Sequence, residues 1–223
     1  MLLRWYRIPM AVPTAPSART QVRRLPERGA YEPAVVHAIL DAAFLCHIGF
    51  VHDGAPVVLP TGYGRRGDDL YLHGSSASRM LRTLRAGVDL CCTVTILDGL
   101  VLARSVFHHS MNYRSVVVFG RATTVEDSVE KLAALAVIAN HIAPGRWDAA
   151  RHPNPQELKA TLVLKLPLAE ASAKLRTGPP KDEEEDYALP VWAGVIPAHL
   201  AFGDPEPDPR LSPGVPPPPR VRG

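Results

Sequence analysis

The sequence predicts a mainly antiparallel β fold of the α+β class, a small barrel or sandwich with two or three inserted helices. Seven or eight strand-like segments lie between residues 46 and 196, and short turns join most neighbours. Antiparallel hairpins with few crossover helices are typical of such folds. Regular strand–helix alternation is missing, and no GxGxxG follows the first strand, which argues against a doubly wound nucleotide-binding sheet.

The first third of the chain predicts a helix followed by a hairpin. Apolar residues from Val35 to Phe44 have helical spacing, and Pro33 suits a first turn. Cys46–Val51 alternates as a strand, and His52-Asp53-Gly54 is a strong hairpin turn signal. The return strand is Ala55–Tyr63, and Leu70–His73 is the next strand.

The middle of the chain predicts a basic helix over Ala77–Ala86, then a second hairpin. In that hairpin, Val88–Leu97 and Leu100–Val106 are separate strands joined by Asp98-Gly99. A long strand over Tyr113–Val125 and an amphipathic helix over Glu126–His141 follow. The remaining expected segments are a short helix near Gln156–Lys159, the strands Leu162–Leu166 and Ala171–Leu175, a solvated acidic loop over Asp182–Asp186, and a last strand in Val191–Ile196.

Composition divides the 223 residues into a flexible arm (1–20), one folded domain (21–202) and a proline-rich tail (203–223). The net charge of +3 comes from the two ends, so the folded domain is not expected to bind nucleic acid. The three cysteines, two of them adjacent, predict buried thiols in a reducing cytoplasm. No apolar run is long enough to span a membrane, and Arg4 and Arg7 interrupt any signal-peptide core. We therefore expect a cytoplasmic protein without a membrane partner.

The nine histidines do not predict a metal site, because none of the pairs considered has the spacing of a zinc-binding helix and no CxxC occurs. The segment from Gly74 to Arg79 is more informative. It places the hydroxyls of Ser75 and Ser78 and the guanidinium of Arg79 between a strand and a helix, where a phosphate can bind. Capping of the helix by serine is the alternative interpretation.

Aromatic and polar residues on other segments could complete a site for a flat, phosphorylated ligand. Tyr63 ends one strand, Tyr113 begins another, and Trp192 lies near the C-terminal edge. Core or interface packing is the alternative interpretation of each aromatic residue.

Five motifs in order resemble the pyridoxamine 5'-phosphate oxidase-like FMN-binding split-barrel family, over roughly residues 20–200. The resemblance is strongest to the branch with nitroimidazole-resistance-type reductases and flavin-nucleotide-binding proteins. The motifs are Val22–Tyr31, the run from Cys46-His-Ile-Gly-Phe50 through Leu59-Pro-Thr-Gly-Tyr63, Leu70–Ser75, Met111–Gly120 and Val191–Pro197.

The resemblance implies an antiparallel split β-barrel homodimer with FMN at the subunit interface. By position, it implies a ring and ribityl site at Leu59, Pro60, Thr61 and Tyr63, and a phosphate site at Ser75, Ser78 and Arg79. It also implies flavin contacts from Tyr113, Arg114 and Ser115 and, from the partner subunit, Trp192, with His73 facing the cleft toward a substrate. Catalytic residues are not identified.

Several positions depart from the oxidase pattern. Ser115 and Ala193 stand where the oxidase has glutamine, and Val195–His199 replaces its basic substrate motif. Without those arginines the phosphate of pyridoxamine phosphate loses its charged partners, which argues against vitamin B6 oxidation.

The leading hypothesis is therefore an FMN-dependent oxidoreductase that acts on a small molecule, with a nicotinamide cofactor as electron donor. The alternative is a non-catalytic flavin or haem carrier or sensor, with His47, His73, His108 and His109 as candidate axial ligands. F420 is an alternative to FMN. A protein–protein module that uses the two termini is a third possibility.

Overall fold

Two antiparallel sheets form the protein, in a computed structural model that describes residues 14–218. The larger sheet has the order β1–β10–β7–β6–β2–β3, with β11 paired to β6 outside this path, and the smaller has the order β4–β5–β9–β8. The strands are β1 Gly29–Ala30, β2 Leu45–His52, β3 Ala55–Gly62, β4 Gly64–Arg66, β5 Asp69–Ser75, β6 Leu90–Leu102, β7 Ser110–Gly120, β8 Thr123–Thr124, β9 Thr161–Pro167, β10 Ala171–Arg176 and β11 Gly194–Pro197. The predicted α+β class is confirmed. Closure of the sheets into a barrel remains a prediction, since in residues 14–218 each sheet keeps its own ladder.

Five α-helices lie between the strands of the described part of the chain. They are α1 Pro33–Ala42, α2 Arg79–Arg85, α3 Ser128–Ile142, α4 Arg146–Ala149 and α5 Pro155–Ala160. Their starts follow local chemistry. Pro33 opens α1, the Asp127 carboxylate caps α3 through the Glu130 amide, and Asn154 and Glu157 form a reciprocal capping box on α5.

The main core lies on the inner face of the larger sheet. Strand alternation directs Cys46, Ile48 and Phe50 of β2 inward, while Leu45 and His47 remain exposed. The smaller sheet contributes Leu70 and Leu72 to this core, and its opposite face packs under α3. Strand β5 is therefore packed on both of its faces. This packing positions the start of the loop that follows it.

The predicted turn at His52–Gly54 is confirmed. Asp53 and Gly54 have positive φ angles of 50° and 77°, the left-handed geometry of a tight two-residue hairpin. The ladder runs without interruption from His52↔Ala55 to Leu45↔Gly62, so this turn sets the register of β3 against β2.

The second predicted hairpin is wrong, because Asp98 and Gly99 lie inside the single strand β6. A shift in pairing with β7 occurs at this point. Gly99 is buried beneath β11, where an added Cβ would come within 2.9 Å of the Ile196 carbonyl oxygen. The glycine thus allows close approach of a neighbouring strand, and it does not form a turn.

The expected solvated acidic loop is wrong at its first residue. The Asp182 side chain has no exposed surface. It accepts hydrogen bonds from the backbone amides of Arg104 and Ser105 and pairs with the Arg104 guanidinium, and these bonds lower its pKa against the opposing effect of burial. Asp182 therefore fastens the chain after β10 to the end of β6.

The terminal segments can be compared with the predicted boundaries in part. Within the predicted arm, Thr20 is buried and Arg19 pairs with Glu170, so this end of the arm contacts the domain. Residues 203–218 are exposed. Residues 1–13 and 219–223 lie outside the described part of the chain. Within residues 14–218, no helix combines the length and hydropathy needed to cross a membrane.

Candidate cofactor site

Three elements that carry predicted site residues meet at one edge of the molecule. β3 is the edge strand of the larger sheet and contacts β5 of the smaller one, and α2 packs on β5. A hydrogen bond of 2.9 Å between Thr83 Oγ1 and His52 Nδ1 fastens α2 to the end of β2. These three neighbouring elements carry the predicted site residues Leu59, Pro60, Thr61, His73, Ser75, Ser78 and Arg79.

The β3 residues lie on both faces of their strand. Pro60 is exposed on the outer face, whereas Leu59 packs against the core and Thr61 is half-buried. Because β3 is an edge strand, a ligand placed along its free edge can touch side chains of both faces as well as unpaired backbone groups. A ligand that lies along the edge of β3 can therefore contact all three residues, whereas a ligand on one face of the strand cannot.

The serine loop has the chemistry of an anion site and also serves as a helix cap. Ser75 Oγ accepts a hydrogen bond of 3.2 Å from the Ala77 amide, and Ser78 Oγ accepts one of 3.5 Å from the Leu81 amide. The capping alternative is thus confirmed for Ser78, although both hydroxyls keep a proton to donate. The neighbouring Arg79 is exposed and has no carboxylate partner in the described part of the chain.

His73 is a half-buried histidine with an unsatisfied nitrogen. Its Nδ1 is inaccessible to solvent and has no hydrogen-bond partner among the described residues. Burial lowers the pKa of the imidazole, so the side chain is neutral at pH 7. A neutral imidazole can bind a metal or hydrogen-bond a ligand ring, and an orphaned buried nitrogen favours such a partner.

Tyr63 is a correction to the predicted set. Its ring is fully buried, and its hydroxyl donates to the carbonyl oxygens of Leu40 and Ala43 at the end of α1. Burial also raises the pKa of this phenol. Tyr63 joins β4 to α1 within the core and has no surface left for a ligand.

The remaining predicted residues lie elsewhere in the same chain. β7 carries Tyr113, Arg114 and Ser115, and it is separated from β3 by β6 and β2, a distance of about 14 Å at ordinary strand spacing. Trp192 is 64% exposed and precedes β11, which pairs with the Gly99–Leu102 end of β6, whereas β2 pairs with the opposite end at Leu90–Thr93. A single chain therefore does not bring these residues to the serine loop.

Arg114 is bound to a partner that sequence reasoning missed. Its guanidinium forms two hydrogen bonds with Asp98, of 2.9 and 2.7 Å, which raise its pKa. The pair lines a cleft of about 280 Å³ that His199 and Phe202 also border. Ser115 points to the opposite face of β7 and donates to the Lys174 carbonyl at 3.2 Å. Arg114 and Ser115 therefore cannot face one ligand from the same side of β7.

The candidate haem ligands differ in availability. His47 projects from the exposed face of β2 and has no hydrogen-bond partner among the described residues. His108 lies 3.6 Å from Glu183, and His109 Nδ1 lies 3.1 Å from the Ser105 carbonyl. Within residues 14–218, no group of three or more His, Cys, Asp or Glu residues could hold a metal ion.

Comparison with known protein families identifies the family to which this chain belongs. The model of the pyridoxamine 5'-phosphate oxidase family matches residues 32–175. The chain belongs to this family. The match spans α1 to β10 and includes the β3, β5 and α2 edge, so the predicted family is confirmed. No curated protein sequence shows a significant match.

Two solved structures of the family are similar over most of the chain. The flavocytochrome Anf3 from Azotobacter vinelandii is 48% identical, with a TM-score of 0.87 over 92% of this chain and 96% of that one. The FAD and haem binding protein from Mycobacterium smegmatis is 38% identical, with a TM-score of 0.82 over 86% of this chain and 94% of that one. A candidate 5-nitroimidazole antibiotic resistance protein from Bacteroides thetaiotaomicron shares the fold at 24% identity and a TM-score of 0.56, covering 66% of this chain and 85% of that one.

Proposed function

We propose that this member of the pyridoxamine 5'-phosphate oxidase family binds a flavin together with a haem and serves as a redox protein. The observation that carries the proposal is the 48% identity to a flavocytochrome across nearly the whole of both chains. The similarity to an FAD and haem binding protein supports it independently. Flavin and haem, predicted above as alternatives, become two parts of one site.

The flavin site uses the edge formed by β3, β5 and α2. Ser75, Ser78 and Arg79 would bind the phosphate nearest the ribityl chain through hydroxyl and guanidinium hydrogen bonds. The edge of β3 at Pro60 and Thr61 would hold the ring system and exclude water from one side of it. When bound, a flavin supplies hydride acceptance at N5 and single-electron transfer. The similarity to an FAD protein favours FAD over the predicted FMN, and F420 remains the third candidate.

The site is completed by a second copy of the chain. Tyr113, Ser115 and Trp192 cannot reach the serine loop of their own protomer, but a homodimer can bring them to the partner's loop. The outer face of the larger sheet suits such an interface, because Leu45, Val51 and Val58 are all exposed on this face of β2 and β3. Burying these side chains on a second copy removes apolar surface from water.

His73 and His47 are the proposed contacts to the metal porphyrin. His73 has a buried unpartnered nitrogen on a neutral ring, and His47 stands on the exposed sheet face where the second copy docks. His108 and His109 already have local partners and lie in the loop between β6 and β7. His73 and His47 are therefore favoured over His108 and His109 as contacts to the haem.

The substrate is a small molecule other than pyridoxamine phosphate. The segment that would carry basic substrate-binding residues here reads Val195-Ile196-Pro197-Ala198-His199, and Val195 to Pro197 form the ladder with β6. A nicotinamide cofactor is the proposed electron donor. Neither the proposed substrate nor the proposed electron donor requires a catalytic side chain, because a bound flavin would supply the proton and hydride chemistry.

Cofactor extraction tests the proposal. The full-length protein is purified, its small molecules are released by denaturation, and flavin and haem are identified by mass spectrometry. We expect FAD and haem in the same preparation. Protein that contains only FMN or F420, and takes up no added haem, would contradict the combined site and would leave a flavin oxidoreductase.

Histidine variants test the haem contacts. His73→Ala and His47→Ala are each expected to change or abolish the haem absorption band, whereas His109→Ala serves as an exposed control and leaves it unchanged. A haem spectrum that responds to His109→Ala and not to the other two would reverse the assignment.

A further inference from the structure

A cleft opens in the larger sheet where one edge of β6 changes its pairing partner. On the edge of β6 that faces away from β7, β2 pairs with Leu90–Thr93 and β11 pairs with Gly99–Leu102. Neither strand pairs with the intervening Val94–Asp98. Two adjoining cavities of about 400 and 280 Å³ lie at this gap. They share most of their lining residues, so they form a single cleft, the β6 cleft.

The walls of the β6 cleft are mostly apolar and partly aromatic. One wall is the end of α1 with Phe44, and another is the segment 198–202 that follows β11. A hydrogen bond of 3.1 Å from the Ala198 amide to the Asp98 carbonyl oxygen holds this segment against β6. The rings of Phe44 and Phe202 meet edge to face, with their centroids 5.5 Å apart. Such walls suit a flat, apolar molecule.

The polar part of the β6 cleft is an ion pair. Apart from His199, the ionisable side chains that line the cleft are Asp98 and Arg114. Arg114 Nε and Nη2 donate to the two Asp98 carboxylate oxygens, at 2.9 and 2.7 Å. Arg114 Nη1 has no hydrogen-bond partner among the described residues, and the side chain is 37% exposed. The pair therefore offers free N–H donors without a net positive charge.

This combination discriminates among ligands by their charge. A carboxylate or phosphate that approached Arg114 would also approach Asp98, which repels it. A hydrocarbon has no acceptor for the guanidinium protons. A carbonyl oxygen on an uncharged ring accepts hydrogen bonds from the free N–H groups and meets no such repulsion. The β6 cleft thus favours an uncharged ligand that carries hydrogen-bond acceptors.

From these contacts we infer that the β6 cleft binds an uncharged aromatic carbonyl compound of the quinone class, with Arg114 as its hydrogen-bond donor. Its role as an electron acceptor rests on the proposed redox function. β6 lies two strand spacings, about 10 Å, from the β3 edge proposed for the flavin ring. In that role the quinone becomes a hydroquinone. The nicotinamide donor gives up two electrons and one proton as a hydride, and solvent supplies the second proton.

Binding of three matched compounds tests the inference. Duroquinone, durene and tetramethylbenzoate have the same methylated ring, and they carry two carbonyl groups, no polar group and a carboxylate, respectively. Their dissociation constants are measured by equilibrium dialysis against the full-length protein as purified. One hydrogen bond from an arginine corresponds to about 10-fold or more in affinity. We expect duroquinone to bind more tightly than either of the other compounds by at least that factor.

Two variants test the ion pair and the cleft separately. Asp98→Asn removes the negative charge and keeps the side-chain size, so the ratio of duroquinone to tetramethylbenzoate affinity should fall about 10-fold. Ala42 lines both cavities, so Ala42→Phe places a ring in the cleft and should weaken duroquinone binding by about 10-fold or more. Ala149→Phe is the matched control and should bind as the wild type does, because Ala149, like Ala42, is an exposed last residue of its helix.

The outcomes separate this inference from the proposed function. Duroquinone that binds no more tightly than durene, or less tightly than tetramethylbenzoate, overturns the inference. An Ala149→Phe effect as large as that of Ala42→Phe also overturns it. In each of these cases, flavin and haem found in the same preparation still support the proposed function. The expected binding pattern in protein that takes up neither flavin nor haem supports the quinone site and overturns its role as an electron acceptor.

Discussion

Tyr63 and His73 show how single buried groups differ in their availability to a ligand. The Tyr63 hydroxyl has two carbonyl acceptors, so its hydrogen-bonding capacity is used within the core. The His73 Nδ1 is also shielded from solvent but has no partner among the described residues. Because a buried polar atom without a partner costs free energy, His73 gains from a bound ligand whereas Tyr63 does not.

Tyr63→Phe is expected to destabilise the protein without impairing flavin binding. The substitution keeps the ring but deprives the Leu40 and Ala43 carbonyls of a donor, which costs about 1–2 kcal/mol in the free energy of unfolding. Urea denaturation and flavin titration measure the two quantities. A large loss of flavin affinity in a folded variant would restore Tyr63 to the cofactor site.

The pKa of His73 predicts a pH dependence of stability. Burial lowers this pKa in the folded state below the ordinary value of 6.5, so the unfolded chain binds the proton more readily as the pH falls. The contribution is complete above about pH 6.5 and is lost as the pH drops through the folded-state pKa. In cofactor-free protein, the free energy of unfolding should therefore fall less between pH 7 and pH 5 in His73→Gln than in wild type. His109→Gln, an exposed control, should keep the wild-type slope.

At the scale of elements, β6 depends on a packing contact that its own sequence does not reveal. Gly99 lies against the backbone of Ile196, and the Asp98 carbonyl accepts a hydrogen bond of 3.1 Å from the Ala198 amide. The Asp98 side chain meanwhile holds Arg114. Two adjacent residues thus join β6 to β11 on one side and to β7 on the other.

Gly99→Ala is expected to displace β11. The added Cβ would meet the Ile196 carbonyl oxygen at 2.9 Å, and overpacking of this kind costs about 1–3 kcal/mol. Gly203→Ala is the matched control, because an added Cβ there meets no atom within 4 Å. Urea denaturation of both variants measures the effect, and equal stability of the two would show that β11 moves freely.

The same contact explains which hairpin could be predicted from the sequence. An Asp-Gly pair occurs at Asp53-Gly54 and again at Asp98-Gly99, but only the first has positive φ angles and forms a turn. The conformation of Asp98-Gly99 depends instead on packing against β11, whose residues come almost a hundred positions later in the sequence. The serine loop with Arg79 was likewise recognisable locally. The burial of Tyr63 and the pairing of Arg114 with Asp98 depend on tertiary contacts, and sequence reasoning missed both.

At the scale of the whole molecule, the protein has one face that a second copy can cover. Residues of the proposed site divide between the β3, β5 and α2 edge and the distant β7 and β11 segments. The arm end, held by Arg19 against Glu170, contacts the same domain. The division of the site, more than the exposed apolar side chains alone, supports the proposed homodimer.

Val58→Glu is expected to dissociate that homodimer. Val58 is 64% exposed on the outer face of β3, where a buried unpaired carboxylate in the interface would be costly. Light scattering should give about twice the 24.2 kDa chain mass for the wild type and the monomer mass for the variant. Val129→Glu places the same charge at a 73% exposed position on α3 and should remain dimeric. If the wild-type protein is a monomer and still binds flavin, the flavin site does not need a second copy of the chain.

The absorption spectrum of the full-length protein as purified tests the combined flavin and haem site most directly. We predict a haem Soret band together with flavin absorption, and bleaching of the flavin bands with a shift of the Soret band when a reductant is added. Protein that is colourless and acquires neither spectrum after incubation with FAD and haem would contradict the proposed redox function.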